Sequence, residues 1–189
     1  MSIIQGVGIN NHRYQAFFNG KMVKEYNLWA AMLARCYSSK VHDKYTTYIG
    51  CSVSDNFKYY DYFYEWCQSQ IGFNFDGWHL DKDIIIRGNR VYSEDVCVFV
   101  PSQINSFFSD CRAVRGDHPT GVNFHKASGK FTARCTVNGK RKNLGLFSTP
   151  QAAYDVYKPF KEALCKETAN KWRDQIDSRV YNAMMVWTV

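Results

Sequence analysis

The sequence predicts an α+β protein in which a mainly helical N-terminal part is followed by a three-stranded antiparallel sheet packed on a helix. Two observations carry this prediction. Residues 25–38 and 55–71 repeat apolar side chains at helical spacing, whereas residues 120–147 alternate along short runs separated by turn residues. Hydrophobic residues make up 46% of the 189-residue chain, enough for two packed cores. We therefore place one domain at residues 1–110 and a second at residues 117–189.

The N-terminal part contains two predicted helices. The first places Leu28, Met32 and Cys36 on one stripe. The second begins at Asp55 and is rich in Phe, Tyr and Trp, which we interpret as core side chains rather than as a platform for stacking bases. Residues 45–53, between the helices, favour a short strand.

The C-terminal part begins with three predicted strands, at residues 120–125, 131–137 and 141–147. The strongest local signal is the Asn138-Gly139 pair, because Asn-Gly favours a two-residue hairpin turn. Along the middle strand the side chains alternate between a polar, cationic face and an apolar face. The cationic face consists of Lys130, Thr132, Arg134 and Thr136.

A helix is predicted to cover the apolar face of this sheet. Ser148 or Thr149 can cap it, and Pro150 suits its first turn. Pro159 lies inside the helical pattern and is expected to end or kink the helix. Residues 160–189 continue as a second helical stretch with an apolar stripe.

Positive charge is concentrated on the sheet. Residues 112–147 hold eight Lys and Arg against one acid, so this stretch carries the same +7 charge as the whole chain. Such a surface is typical of proteins that bind a polyanion, and double-stranded DNA is the partner we predict. Arg112 and Arg115 lie in the predicted linker, residues 105–120. The side chains expected to contact DNA are Lys126, Lys130, Arg134, Lys140, Arg141 and Lys142.

The composition of the chain argues against a membrane-spanning or secreted protein. No run approaches the roughly 18 apolar residues of a membrane helix, and the N-terminus lacks the pattern of a secretory signal. The seven cysteines form an odd set without a C-x-x-C pair, which favours a reduced, cytoplasmic protein. Zinc held by Cys36, Cys51, Cys67 and Cys97 is the alternative, but their spacing is unlike that of zinc knuckles, and buried thiols are favoured.

Residues 117–165 resemble the ethylene-response-factor, or integrase-type, DNA-binding domain. The resemblance implies a three-stranded sheet that enters the DNA major groove, with Arg and Lys side chains on phosphates and base edges. That family often has Trp where this chain has Phe131. The matching positions are Gly121-Val122, Gly129-Lys130-Phe131, Ala133, Gly139-Lys140, Leu144-Gly145, Phe147 and Ala152-Ala153-Tyr154.

Residues 78–107 read WHLDKDIIIRGNRVYSEDVCVFVPSQINSF and resemble the ββα-metal module of phage HNH-type homing endonucleases. The resemblance implies a first strand ending near Asp81, a second strand around residues 88–91, and a short helix that begins at Ser93. It implies an α+β, HNH-like N-terminal module with flanking helices. Mg²⁺ or Mn²⁺ would hold the scissile phosphate there while a base activates water.

The HNH pattern is incomplete in this chain. Asp81 matches the metal-binding Asp, but Lys82 stands where the family has its catalytic His. The helix ligand would fall near Val96 or Cys97, neither of which offers an oxygen or an imidazole. A lysine with an ordinary pKa of about 10.4 is protonated at neutral pH and is a poor base.

Three interpretations of this segment stay open. His79 lies two residues before Asp81, on the same side of a strand, and could replace the missing base. Asp81 and Asp83 could form a metal pair assisted by Asn105 or Asn89. Alternatively, Lys82 could hold a phosphate in a site that binds without cutting.

Three functional hypotheses follow from the sequence. The first is a DNA-binding HNH-like endonuclease or nickase, with His79, Asp81, Lys82 and Asn105 as catalytic residues and Asp81 and Asp83 as metal ligands. The second is a DNA-binding regulator on a decayed nuclease scaffold. The third is an inhibitor whose nuclease-like surface binds a host protein.

Overall fold

The structure is a computed structural model that describes residues 1–108 and 117–189. Over these ranges the chain is mixed, 41% helical and 24% strand, as an α+β sequence predicts. It forms two compact units: the N-terminal unit, Met1–Ser102 with Gln175–Asp177, and the C-terminal unit, Gln103–Asp174 with Ser178–Val189. The division after Ser102 differs from the boundary at residue 110 that the sequence favours. Half of the predicted linker, residues 109–116 with Arg112 and Arg115, lies outside the described residues.

The N-terminal unit combines short strand pairs with helices. The strands are β1 (Ser2–Ile4), β2 (Gly8–Asn10), β3 (Phe17–Phe18), β4 (Lys21–Met22), β5 (Ser52–Val53), β6 (Trp78–Asp81), β7 (Val91–Tyr92) and β8 (Val98–Pro101). Strands β1 and β2, β3 and β4, and β6 and β8 pair antiparallel, whereas β5 and β7 pair in parallel. The helices are α1 (Lys24–Tyr37), α2 (Ser39–Lys44) and α3 (Tyr60–Ser69).

The core of the N-terminal unit contains large aromatic side chains from α1, from α3 and from the turn that precedes α3. Trp29, Phe57, Tyr60 and Phe63 are fully buried. The indole N–H of Trp29 donates to the carbonyl of Phe57 at 2.8 Å, which satisfies its polar atom inside the core. These side chains therefore pack together and are not a base-stacking platform.

The second predicted helix is shorter than expected. A single 3-10 turn, Asn56–Lys58, precedes α3, which begins only at Tyr60. The stretch that favoured a strand forms another 3-10 turn, Thr46–Tyr48, followed by β5.

The prediction of a short helix that begins at Ser93 is wrong. The amides of Val96 and Cys97 both donate to the carbonyl of Ser93, at 3.3 and 2.9 Å, and close a turn. The chain then enters β8 (Val98–Pro101), because its two valines and its phenylalanine are buried and the strand pairs with β6. The next helix, α4 (Ser102–Phe108), begins nine residues later than predicted.

Glu94, in the turn after β7, forms hydrogen bonds with residues before and within α3. Its carboxylate accepts hydrogen bonds from Ser54 Oγ at 2.8 Å, Asn56 Nδ2 at 2.5 Å and the hydroxyl of Tyr62 at 3.4 Å. Burial raises the pKa of Glu94, but hydrogen bonds from its own amide, Asn56, Ser54 and Tyr62 outweigh it, so the pKa lies below the ordinary value.

We expect Glu94→Gln to reduce the acid sensitivity of the N-terminal unit. Because the folded pKa is lowered, the carboxylate contributes stability above its ordinary pKa of 4.5, and this contribution is lost as pH falls through the folded pKa. Urea unfolding at about pH 7 and about pH 3 should show a smaller difference in midpoint for the variant than for the wild type. Glu167→Gln, at an exposed position, is the control. An unchanged difference in Glu94→Gln would contradict this role.

The C-terminal unit is a three-stranded antiparallel sheet covered by a long helix. The unit contains β9 (Val122–His125), β10 (Lys130–Val137), β11 (Lys140–Phe147), α5 (Pro150–Trp172) and α6 (Ser178–Met185), together with α4 from Gln103 onward. The sheet order is β11-β10-β9, so β10 is central and β11 is an edge strand.

The start of α5 is as predicted, but the helix does not end at Pro159. The Thr149 side chain accepts from the amide of Ala152 at 3.1 Å and caps the helix, with Pro150 in the first turn. Beyond Pro159 the helix continues to Trp172, because Cys165 and later side chains stay buried against the rest of the unit. This packing outweighs the cost of about 3 kcal/mol for proline inside a helix.

The core of the C-terminal unit lies between the sheet and α5. Val122, Ala133, Cys135, Ala153 and Tyr157 are buried there. The apolar face of β10 therefore faces the helix, and the opposite face of the sheet is left uncovered by α5.

Six of the seven cysteines lie within the described ranges. The cysteines within those ranges are all buried and free; Cys111 lies outside them. Burial raises the pKa of Cys36 and of Cys165 to about 12. No helix in the described parts of the chain has the length and apolar character needed to cross a bilayer.

Candidate nucleic-acid interface and the Asp81 loop

The uncovered face of the sheet carries some of the predicted DNA contacts. Pairing partners on adjacent strands share a face, so Arg141 faces the same way as its partner Thr136, and Arg134 the same way as Asn143. Lys130, opposite His125, belongs to this face as well. We call this surface the open face.

Two arginines meet at a depression on the open face. The depression is lined by Asn123, Arg134, Cys135, Thr136 and Arg141. Within the described residues, no ion pair engages Arg134 or Arg141. Their guanidinium groups therefore present donors that no described carboxylate neutralises, beside the amide and hydroxyl of neighbouring side chains.

Lys142 faces the other side of the sheet. It pairs with Cys135, which is buried against α5, and its ammonium lies 4.9 Å from the ring centroid of Phe160 on that helix. Lys140 pairs with Val137 and belongs to the same helix side. The six predicted contacts therefore do not form one surface.

Lys126 lies in neither face. It is exposed in the turn between β9 and β10. The ring of His125, at the start of this turn, contacts Ser128 Oγ at 2.8 Å. Lys126 thus extends from the rim of the sheet.

The side of the sheet on which Lys142 lies could have been predicted from the hairpin turn in the sequence. A two-residue Asn138-Gly139 turn pairs Val137 with Lys140, and counting outward places Lys142 opposite Cys135. Since Cys135 belongs to the apolar set of β10, Lys142 must share the apolar side. The prediction relied on the number of positive charges in this stretch, and that number does not show on which face of the sheet each side chain lies.

The second candidate site is the loop that follows β6, here called the Asp81 loop (residues 81–92). Asp81 Oδ1 accepts from the amides of Asp83 at 2.7 Å and Ile84 at 3.0 Å. Burial raises the pKa of Asp81, the nearby charge of Asp83 adds to the rise, and these two backbone hydrogen bonds oppose it. The carboxylate therefore shapes the loop by capping its backbone.

Lys82 is buried within the Asp81 loop, with 6% of its surface exposed. Its ammonium lies 2.8 and 2.7 Å from the two carboxylate oxygens of Asp83 and 2.7 Å from the carbonyl oxygen of Asn89. The ring of Tyr92 lies 5.5 Å away on another side. In this arrangement Lys82 is directed into the loop rather than toward solvent.

Asn89 closes the same loop from its far end. Its Nδ2 donates to the carbonyls of Lys82 at 2.9 Å and Val91 at 2.7 Å, and its Oδ1 accepts from the amide of Val91 at 3.1 Å. Both ends of the amide are therefore used by the backbone, which leaves Asn89 a structural role.

The other two predicted catalytic residues, His79 and Asn105, lie outside the Asp81 loop. His79 is exposed on β6, pairs with Val100 on β8, and contacts Ser102 Oγ through Nε2 at 2.9 Å. Asn105 lies on α4 and belongs to the C-terminal unit. Thus Asp81, Lys82, Asp83 and Asn89 are brought together in one loop.

Three of the four carboxylate oxygens in the Asp81 loop are engaged by the protein itself, so the loop as it stands does not fit a divalent metal. Mg²⁺ and Mn²⁺ need carboxylate oxygens that are available to the ion. Here the Asp83 carboxylate is bound by the Lys82 ammonium, and Asp81 Oδ1 is bound by two backbone amides. Among the described residues, no group of three His, Cys, Asp or Glu side chains is placed to hold a metal ion.

Comparison of the chain with protein-family models, with curated proteins and with solved structures finds no match.

Proposed function

We propose that this chain binds double-stranded DNA through the open face of the C-terminal sheet. The observation that carries the proposal is the pair Arg134 and Arg141, which border one polar depression and pair with no described carboxylate. The planar guanidinium group of arginine can donate two hydrogen bonds to phosphate oxygens or to the edge of a guanine, and a duplex groove presents both. Neighbouring Asn123 and Thr136 add polar groups of the kind that contact backbone and bases.

The shape of the sheet supports the same proposal. Its strands are up to eight residues long, and α5 covers only the apolar face. A sheet with one uncovered polar face can enter a major groove, which is about 12 Å wide in B-DNA. The uncovered polar face and its arginines therefore support DNA binding by this sheet.

The salt dependence of DNA affinity tests the proposal. If Arg134, Arg141 and Lys130 neutralise phosphates, the logarithm of the association constant should fall linearly with the logarithm of salt, with a slope of about −0.9 per phosphate. We expect a slope of about −2 to −4 on a short random duplex. Absent binding at low salt, or a flat response, would favour the hypothesis of a host-protein partner.

Within the DNA-binding class, we propose the non-cleaving alternative over the endonuclease or nickase. Lys82 stands at the position of the usual base, and the Asp83 carboxylate, the Asn89 carbonyl and Asp81 Oδ1 are already engaged. A plasmid nicking assay with Mg²⁺ or Mn²⁺ separates the two hypotheses, and we expect binding without cleavage. Metal-dependent nicking by the wild type that is lost in Asp81→Ala and His79→Ala would establish the endonuclease instead.

A further inference from the structure

The Asp81 loop contains a cation of its own. The Lys82 ammonium is surrounded by the two oxygens of Asp83, the carbonyl oxygen of Asn89 and the ring of Tyr92. Carboxylate and carbonyl oxygens are also the donors that hard divalent cations prefer. The ammonium and a metal ion at this position would therefore compete for the same oxygens.

Burial distinguishes this ion pair from the others in the described residues. The Lys82 side chain is 8% exposed, and that of Asp83 is 42% exposed. By contrast, Lys58 and Asp55 form a surface pair at 2.6 Å, with side chains 37% and 92% exposed. Surface pairs of this kind contribute little to stability, whereas removing one partner of a buried pair leaves an uncompensated charge.

The remaining contacts show what the ammonium holds in place. Lys82 joins the start of the loop, through Asp83, to its end, through the carbonyl of Asn89. Asn89 returns a hydrogen bond to the carbonyl of Lys82 at 2.9 Å. The loop is thereby closed by a bridge centred on one positive charge.

We propose that the Lys82 ammonium occupies the place of a divalent cation in this loop, so that the loop is closed without a metal ion. This inference concerns the N-terminal unit and does not depend on DNA binding by the C-terminal sheet. It assigns Lys82 a structural role in which the positive charge is essential. Removing that charge while leaving space should create a position that an added metal ion can fill.

Thermal unfolding with and without millimolar Mn²⁺ tests the proposal. The wild type should show the same Tm in both conditions. Lys82→Ala should have a Tm well below that of the control Lys58→Ala, and Mn²⁺ should restore part of the loss. The double variant Lys82→Ala with Asp83→Asn should lose this rescue, because the carboxylate that binds the ion is gone.

The opposing results are equally clear. A rise in the wild-type Tm with Mn²⁺ that disappears in Asp81→Ala would show a native metal site and overturn the proposal. So would a folded Lys82→Ala variant that is as stable as Lys58→Ala or that Mn²⁺ does not rescue. If Lys82→Ala does not fold, electron paramagnetic resonance of Mn²⁺ mixed with the wild type decides: specific uptake of one ion per chain contradicts the proposal, and no uptake supports it.

Measuring DNA affinity by gel shift distinguishes a failure of this inference from a failure of the proposed function. Loss of DNA binding in the sheet variants would leave the Mn²⁺ results untouched. Conversely, Mn²⁺ uptake by the wild type would leave sheet-mediated DNA binding intact.

Discussion

Replacing both Arg134 and Arg141 by alanine is expected to weaken duplex binding by roughly 30-fold or more. Each guanidinium that contacts a guanine edge contributes about 1–3 kcal/mol, so two losses of at least 1 kcal/mol give this factor. Contacts to phosphate alone would cost less and would lower the salt slope by about 1 for each arginine. Gel shifts on one duplex at several salt concentrations measure both quantities.

Lys142→Ala is the matched control for this prediction. It removes the same charge from the residue next to Arg141, but from the side of β11 that faces α5. Its affinity should remain close to that of the wild type, apart from a small long-range effect of charge. Equal losses for Arg141→Ala and Lys142→Ala would show that net charge, rather than the open face, determines binding.

Replacing Gly121 by alanine should destabilise the C-terminal unit by about 2–5 kcal/mol. Gly121 has φ +77°, where an L side chain costs about 1–2 kcal/mol. An added Cβ would also lie 2.1 Å from Cε2 of the buried Tyr157, and such overpacking costs about 1–3 kcal/mol. Hydrogen exchange of the β10 amides reports the free energy of opening of this unit.

Gly129→Ala separates the backbone cost from the steric cost. Gly129 has φ +62°, and nothing lies within 4 Å of the position that an added methyl group would take. This variant should therefore lose only about 1–2 kcal/mol. A Gly121→Ala variant no less stable than Gly129→Ala would mean that Tyr157 moves aside at little cost.

Local chemistry in the sequence was sufficient for the β10–β11 hairpin and the start of α5. Asn138 and Gly139 have φ values of 50° and 75°, and the two positive values are those that a type I′ turn requires. Thr149 likewise needs only its own oxygen and a nearby amide to cap a helix. Such features depend on neighbours within a few residues, so one sequence specifies them.

The Asp81 loop could not be predicted in the same way. The run of apolar residues from Cys97 to Val100 suits either a buried strand or a buried helix, and only pairing with β6 decides between them. The burial of Lys82 depends on Asn89 and Tyr92, which are seven and ten residues away. A lysine in the sequence gives no sign that a loop will enclose it.

The β-bulge in β11 divides that strand into two halves. Arg134 pairs with Asn143 and Ala133 with Gly145, so Leu144 is an extra residue between them. Without it, Phe147 would turn away from α5, where it now packs, while Arg141 would keep its orientation from the turn. The half of β11 before Leu144 carries the cations, and the half after it packs against α5. We therefore expect substitutions in the first half to change which DNA is bound without disturbing the packing of the second half.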